Sequence, residues 1–408
     1  MEIARMANQF ITTQLVSNTA LAMFANNAPY VMTGSRIYQD DFNSSGYKIG
    51  DTLQVRRQNN FIIGDGSTAV PQDILEVVEN ITVAHQYHAL IAYTVADLSL
   101  RIEDFSRMFI QPAIQNIITQ MERDISSAAE QQLNYYSGTA GTPINSFGTV
   151  DLAGAKLLEQ GVNISSDAYL AMTVRDGSAL KQGLQNNFTP VFNEEIVRQS
   201  AIGHLSYFDV FQSQNIVRHV AGAGPTLHAG DTLTVNGAVA SGNTIILAGA
   251  TGTVTNYFLP GDLISIAGVS SVNPLSRAST GQNMQFVITA AANSSGGGAV
   301  TITVSPTIIS STSSPLQNVS NAIPDGAAVT VVPSYNVNVA YPARGLDIVC
   351  PPLYKLQVPY SSVAIDPETG LSLAVTQTGD ILGYQNLMRL DILCGFQWHP
   401  QYAVKLLS

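Results

Sequence analysis

The chain has 408 residues, 45% of them hydrophobic, which excludes wholesale disorder and a single ordinary core and points to two or three domains. Only 12% are charged, against roughly 25% in an average globular protein, so the surface must be built largely from Ser, Thr, Asn, Gln and Gly. The remaining charge is acidic, 18 Lys+Arg against 29 Asp+Glu, and this excludes the basic stripe that a phosphate-neutralising nucleic-acid binder needs.

Residues 1–15 contain no uninterrupted apolar stretch, because Asn8-Gln9 and Thr12-Thr13-Gln14 break it, so no secretory signal is expected. Ile3, Met6, Ala7, Phe10 and Leu15 have loose helical spacing and predict a short amphipathic arm. A hairpin follows: Thr52-Leu-Gln-Val-Arg-Arg57 alternates outward, Gly64-Asp65-Gly66 makes the tip, and 80–90 alternates on the return. With few apolar anchors of its own, such a hairpin makes sense when laid on a neighbour. Ile114, Ile117, Ile118, Met121, Ile125, Ala128, Ala129 and Leu133 then trace one face of a long helix over 110–133, with Pro112 suiting its first turn. Shorter helices are expected at 151–160, capped by Asp151 and stopped by Gly161, and at 178–186.

Composition breaks sharply at 223–336. The only charged residues there are Asp231, Asp262, Arg277 and Asp325. Runs such as Thr232-Leu-Thr-Val235, Thr244-Ile-Ile-Leu247 and Val300-Thr-Ile-Thr-Val304 are separated by Gly-, Asn- and Pro-rich turns. That pattern predicts an all-β barrel or sandwich inserted into an α+β host. Residues 232–261 are uncharged and long enough to span a bilayer, but Asn, Thr, Ser and Gly interrupt them throughout; strands are the expectation and no membrane partner is implied. Further strands are expected at 372–377, 388–396 and 402–407.

Reactive chemistry is sparse. The six histidines form no metal motif: His85 and His88 stand three apart in a strand context, where such positions face opposite ways. Gly64-Asp65-Gly66-Ser67 lacks the Lys and the helix of a phosphate loop. The adjacent Glu194-Glu195 diverge by about 100° on a helix, so they suit a first turn better than a shared proton. Asp366 reads as a loop turn residue. Cys350 and Cys394 lie in apolar runs and read as free, buried thiols. Nothing assembles into a triad, a dyad, a metal site or a cofactor loop, so the expectation is a non-enzyme with no cofactor.

Several stretches resemble tailed-phage coat proteins, in particular those of short-tailed Salmonella phages that carry an inserted β-domain. In the insertion these are Pro260-Gly-Asp-Leu-Ile-Ser-Ile-Ala-Gly-Val269, Val272-Asn-Pro274, Gln285-Phe-Val-Ile-Thr289 and Ala299-Val-Thr-Ile-Thr-Val-Ser-Pro306. Outside it they are Ala201-Ile-Gly-His-Leu-Ser-Tyr-Phe-Asp-Val-Phe-Gln-Ser-Gln-Asn215, Asp380-Ile-Leu-Gly383 and Met388-Arg-Leu-Asp-Ile-Leu-Cys-Gly395. The resemblance implies the major capsid fold shared by tailed phages and herpesviruses. Its parts would be an N-terminal arm (1–45), an extended loop (46–79), a peripheral domain (80–140 with 386–408), an axial domain (141–222 with 337–385) and the inserted β-domain (223–336). It further implies a shell subunit that assembles in the host bacterial cytoplasm into hexamers and pentamers, with scaffolding protein and portal as assembly partners and packaged dsDNA touched non-specifically. No Lys falls within 57–79, so Lys–Asn cross-linking, used by one branch of the fold, is not expected.

The acidic balance suits a wall that repels packaged DNA and leaves it mobile. Arg56 and Arg57 are candidates to pair with Glu122 or Asp124 of an adjacent subunit, and Arg5 is a candidate scaffold contact. A second class stays open: a tail, fibre or adhesin protein with a sugar-binding β-domain. It would need surface aromatics clustered in the insertion, where Tyr257, Phe258 and Phe286 are too few.

Overall fold

The computed structural model describes residues 16–22, 28–38, 50–57, 59–63, 65, 67, 71–93, 106–164, 167–184, 203–353, 358, 360–366, 371–380 and 385–408. The chain divides into two compact units. Met1–Leu53, Ile81–Glu122 and Asp347–Gln397 make the first; Gln54–Asn80, Arg123–Leu346 and Trp398–Ser408 make the second. The candidate scaffold contact Arg5, the paired Glu194 and Glu195, and the tip glycines Gly64 and Gly66 lie outside the described residues.

The expected long helix is present as α1, Gln111–Gln132, entered through one wider turn at Ser106–Ile110. Its 22 residues give a rod of about 33 Å. Ile114, Ile117, Ile118, Met121, Ile125 and Ala129 are buried along one stripe, so the sequence period and the buried face coincide.

Both shorter helices begin earlier than expected. The first, α2, runs Phe147–Glu159 and is capped by Ser146, whose Oγ accepts from the Thr149 N–H at 3.3 Å. Asp151 is therefore inside the helix, where its carboxylate accepts from Ser206 Oγ at 2.8 Å. The second, α3, runs Val174–Leu184 from a cap at Thr173. Thr173 Oγ1 accepts from the Asp176 N–H at 3.2 Å and donates to the Asp176 carboxylate at 2.6 Å. In both cases a Ser or Thr upstream captured a free helix-end N–H that the apolar period does not register.

In the first unit, the long strand Gln385–Trp398 is the centre of a sheet. It pairs antiparallel with His85–Tyr93, from Tyr93↔Asn386 to His85↔Cys394, and with Ser372–Asp380, which in turn pairs with Tyr360–Ile365. Leu373, Val375, Met388, Leu390 and Ile392 make its buried face. The return of the hairpin is two strands rather than one. Val78–Thr82 pairs with Thr52–Arg56, whereas His85–Tyr93 joins the larger sheet. Val83 sits at the change of partner, fully buried, donating its N–H to the Asp51 carbonyl at 3.0 Å.

The second unit holds a six-stranded mixed sheet in the order Tyr136–Gly138, Val404–Leu407, Asn338–Pro342, Ala168–Met172, Phe208–Gln212, His204–Leu205. Val150, Leu157, Leu170, Met172, Leu180, Phe208 and Leu406 belong to one core between this sheet and the helices α2 and α3. Residues 386–408, expected to return together, thus contribute to both units: Gln385–Trp398 to the first sheet and Val404–Leu407 to this one.

The low-charge segment is a barrel. Strands follow the order Val329–Val331, Leu263–Val272, Ser279–Ile288, Val300–Ile309, Ser241–Ala248, Thr234–Val235, every pair antiparallel. An antiparallel bridge from Thr234 to Ala328 joins the last strand back to the first and closes the ring. Ile245, Leu247, Ile264, Ile266, Met284, Ile302 and Val304 fill it, the inward half of an alternating pattern. Tyr257, Phe258 and Phe286 are in that same core and at most 1% exposed, so they are not surface aromatics.

Candidate functional site

Two features qualify: the hairpin, and a buried ionic cluster where the chain enters and leaves the barrel. Along the hairpin, Phe61, Ile63, Ile74, Leu75 and Val78 are exposed, Ile63 by 88%. At its base, Arg57 forms an ion pair with Glu79, and the same carboxylate takes His399 Nδ1. Burial lowers the Arg57 pKa, with Tyr402 opposing. Arg56 stays outside, its side chain 73% exposed, reaching Glu76 across the hairpin at 3.3 Å.

Of the four residues expected at an intersubunit ion pair, Arg56, Arg57 and Glu122 have partners within their own chain. Arg57 is held by Glu79, and Glu122 is buried, its Oε1 accepting from the Tyr30 N–H at 3.4 Å. Asp124 is half-buried on α1, and Arg56 is the exposed member.

The ionic cluster has five members from five places in the sequence. His219, in the strand Arg218–His219 that precedes the barrel, is 1% exposed and sits between two carboxylates. Its Nδ1 lies 2.6 Å from Glu130 of α1 and its Nε2 lies 2.8 Å from Asp262. A ring that meets an acceptor at each nitrogen donates from both, so His219 is an imidazolium. Burial by itself would lower its pKa; the hydrogen bonds to Asp262 and Glu130, and their charges, outweigh that and raise it.

Asp262, fully buried, also accepts from the Leu259 N–H at 2.7 Å and from the Gly222 N–H at 3.3 Å. Only glycine fits at 222, because a Cβ there would run into the Tyr257 carbonyl. Lys405, also fully buried, donates to the Glu130 carbonyl at 2.6 Å and to Tyr335 Oη at 3.0 Å. Tyr335 Oη in turn donates to the Gly261 carbonyl at 2.9 Å. Burial brings the Lys405 pKa down to about 7 against the pull of Glu130 and Asp262, and burial pushes Tyr335 up. The His219 imidazolium thus meets two carboxylates with little access to water, and each partner is needed to offset the desolvation of the others.

The cluster fastens His219 and Gly222, where the chain goes into the barrel, and Tyr335, where it comes out, to α1 and the C-terminal strand. None of its members was picked out from sequence. Asp262 and Lys405 did carry a signal: one of three carboxylates in a nearly uncharged segment, and a lone ammonium inside Val404-Lys-Leu-Leu407, need buried partners if their segments are core.

The cluster gives a pH dependence whose sign is fixed. Because the folded His219 pKa lies above its ordinary 6.5, the stabilisation it brings is complete below that value and is lost as pH rises through the folded value. Lys405 runs the other way: folded about 7 against an ordinary 10.5, it favours folding increasingly as pH rises between the two. Comparing wild type with His219→Gln isolates the first effect. The difference in their unfolding free energies should shrink as pH goes from about 6 to about 9. A difference that is flat with pH in urea unfolding would show that His219 is not charged in the fold.

A family model described as P22 coat protein, gene protein 5, matches residues 64–404. Among solved structures the chain is similar to one from Mycobacterium phage Che8, at 9% identity and a TM-score of 0.45, covering 92% of this chain and 89% of that one. It is similar to the capsid of Ralstonia phage GP4 at 7% identity and a TM-score of 0.43, covering 90% and 83%. The CUS-3 coat protein I-domain is 29% identical over 25% of this chain and 96% of its own length, at a TM-score of 0.19. No curated protein matches. With the family match spanning most of its length, the chain belongs to the P22 coat protein family and is a phage major capsid protein.

Proposed function

We propose that copies of this chain form the icosahedral head shell enclosing a dsDNA genome, as hexamers and pentamers raised with a scaffolding protein and a portal in the bacterial cytoplasm. Its function is then geometric and not catalytic. In that reading 1–45 is the arm, 46–79 the extended loop, and the hairpin is the part that reaches a neighbouring copy. The observation that carries this is the hairpin itself. Phe61, Ile63 and Ile74 are exposed on a two-stranded element whose described residues hold little core. Exposed apolar side chains on an isolated hairpin gain only when another surface covers them. Arg56, exposed at its edge beside Glu76, is the proposed contact to an acidic group on that surface, with Asp124 as the candidate partner. Arg5 is retained as the scaffold contact.

The test is assembly of the full chain with the scaffolding protein of its own phage, read by negative-stain microscopy and sedimentation. Wild type should give closed shells. Ile63→Asp combined with Ile74→Asp should abolish them while leaving thermal unfolding within about 0.5 kcal/mol, since both sites are at the surface. Shells from the double variant would sink the role of the hairpin. A wild type that stayed monomeric at every concentration would sink the shell reading itself.

A further inference from the structure

Cys394 lies within the strand Gln385–Trp398, and Cys350 directly follows its sheet neighbour Leu346–Val349. Both are at most 1% exposed and their sulfurs stand 3.5 Å apart. We infer that these two thiols are an oxidation site, a buried dithiol that a small neutral peroxide converts into an intrachain disulfide.

The geometry supports closure over any other fate. A disulfide bond is about 2.05 Å long, so each sulfur has to move by less than about 1 Å, within the reach of a side-chain torsion. Arg36 supplies a cation: its Nη2 donates to the Val31 carbonyl at 2.6 Å, and its charge acts on both sulfurs. Cys394 holds its proton, because its hydrogen bond to Cys350 and then its burial push its pKa up. With Cys394 held as the thiol, the first attack on the peroxide is assigned to Cys350.

The sequence of bonds follows. The Cys350 sulfur attacks one peroxide oxygen, the O–O bond breaks, and the departing hydroxide takes the Cys350 proton to leave as water. Cys350 is now a sulfenic acid. The Cys394 sulfur attacks it, the S–O bond breaks, and that hydroxide takes the Cys394 proton as a second water. Two thiols and one hydrogen peroxide become one disulfide and two waters, the peroxide accepting both electrons. With the second thiol already in contact, ring closure precedes over-oxidation.

The new bond would span 44 residues and enclose the strands Tyr360–Ile365 and Ser372–Asp380. Its timing rests on the shell reading above: made reduced in a cytoplasm, the subunit meets oxidants once the particle is outside. The chemistry itself does not depend on that reading.

The experiment treats the purified full chain, natively folded, with hydrogen peroxide, followed by intact mass, maleimide counting of thiols in denaturant and peptide mapping. Both thiols should disappear together, the mass should fall by two hydrogens, and the map should show Cys350 joined to Cys394. The oxidised chain should unfold at higher urea, reverting on treatment with dithiothreitol. Cys350→Ser and Cys394→Ser should each give no such loss of mass. Sulfinic acids on separate thiols, disulfide-linked dimers, thiols that stay unreacted while the same dose oxidises denatured chain, or a urea midpoint unmoved by closure would each overturn the inference. Particle formation plays no part in these readouts, so they remain decisive whichever way the assembly test falls.

Discussion

Asp262→Ala should destabilise the barrel-bearing unit by about 3–5 kcal/mol, the usual cost of removing one partner from a buried charge pair. The carboxylate is fully buried and serves three donors at once: the His219 ring, the Leu259 N–H and the Gly222 N–H. Its loss leaves an imidazolium with one carboxylate fewer and two backbone donors facing no acceptor, and a methyl group replaces none of that. Asp262→Asn keeps one acceptor oxygen and should lie between the variant and wild type. The chain has a single tryptophan, Trp398, and it is buried in this same unit, so its fluorescence can follow urea unfolding. A cost below about 1 kcal/mol for the alanine variant would mean that water enters the cluster and the charges are not sequestered.

Trp398 itself is the second site of large effect. It is fully buried, stands edge-on to Tyr341 at a centroid distance of 5.0 Å, and donates its indole N–H to the Ile125 carbonyl at 2.9 Å. Its backbone N–H donates to Gln132 Oε1 at 3.2 Å, so one residue holds two points along α1. Trp398→Ala should cost about 3–5 kcal/mol, the range for emptying a large aromatic site in a core. Trp398→Phe, which keeps most of the ring volume and the edge-on contact while losing the indole donor, should cost well under half of that. Far-UV circular dichroism is the readout, since the fluorophore is gone. Equal losses for the two variants would show that the hydrogen bond dominates over the packing.

What could be read from the sequence divides along physical lines. The helix α1 was legible because its period repeats over six turns and needs no distant information. The barrel was legible because alternation and missing charge persist over a hundred residues, and the resemblance to phage coat proteins rested partly on motifs in that same segment. The starts of α2 and α3 were not legible, since Ser146 and Thr173 act through single hydrogen bonds that look like any loop hydroxyl. Nor was the cluster: Asp262 and Lys405 stand out as charges among apolar residues, but Glu130, His219 and Tyr335 are ordinary in their neighbourhoods, and only the fold brings the five together. Nothing near Arg57 in sequence foretells Glu79 as its partner, nor His399 on the same carboxylate. Long-range ionic chemistry leaves little local trace.

The bridge from Thr234 to Ala328 has a consequence for the protein as a population. A shell protein accumulates in great excess over most others, so bare strand borders on its surface would nucleate endless ribbons of sheet between copies. By joining its first and last strands the barrel closes one pair of such borders, which favours ordered lattices over fibrils under crowding.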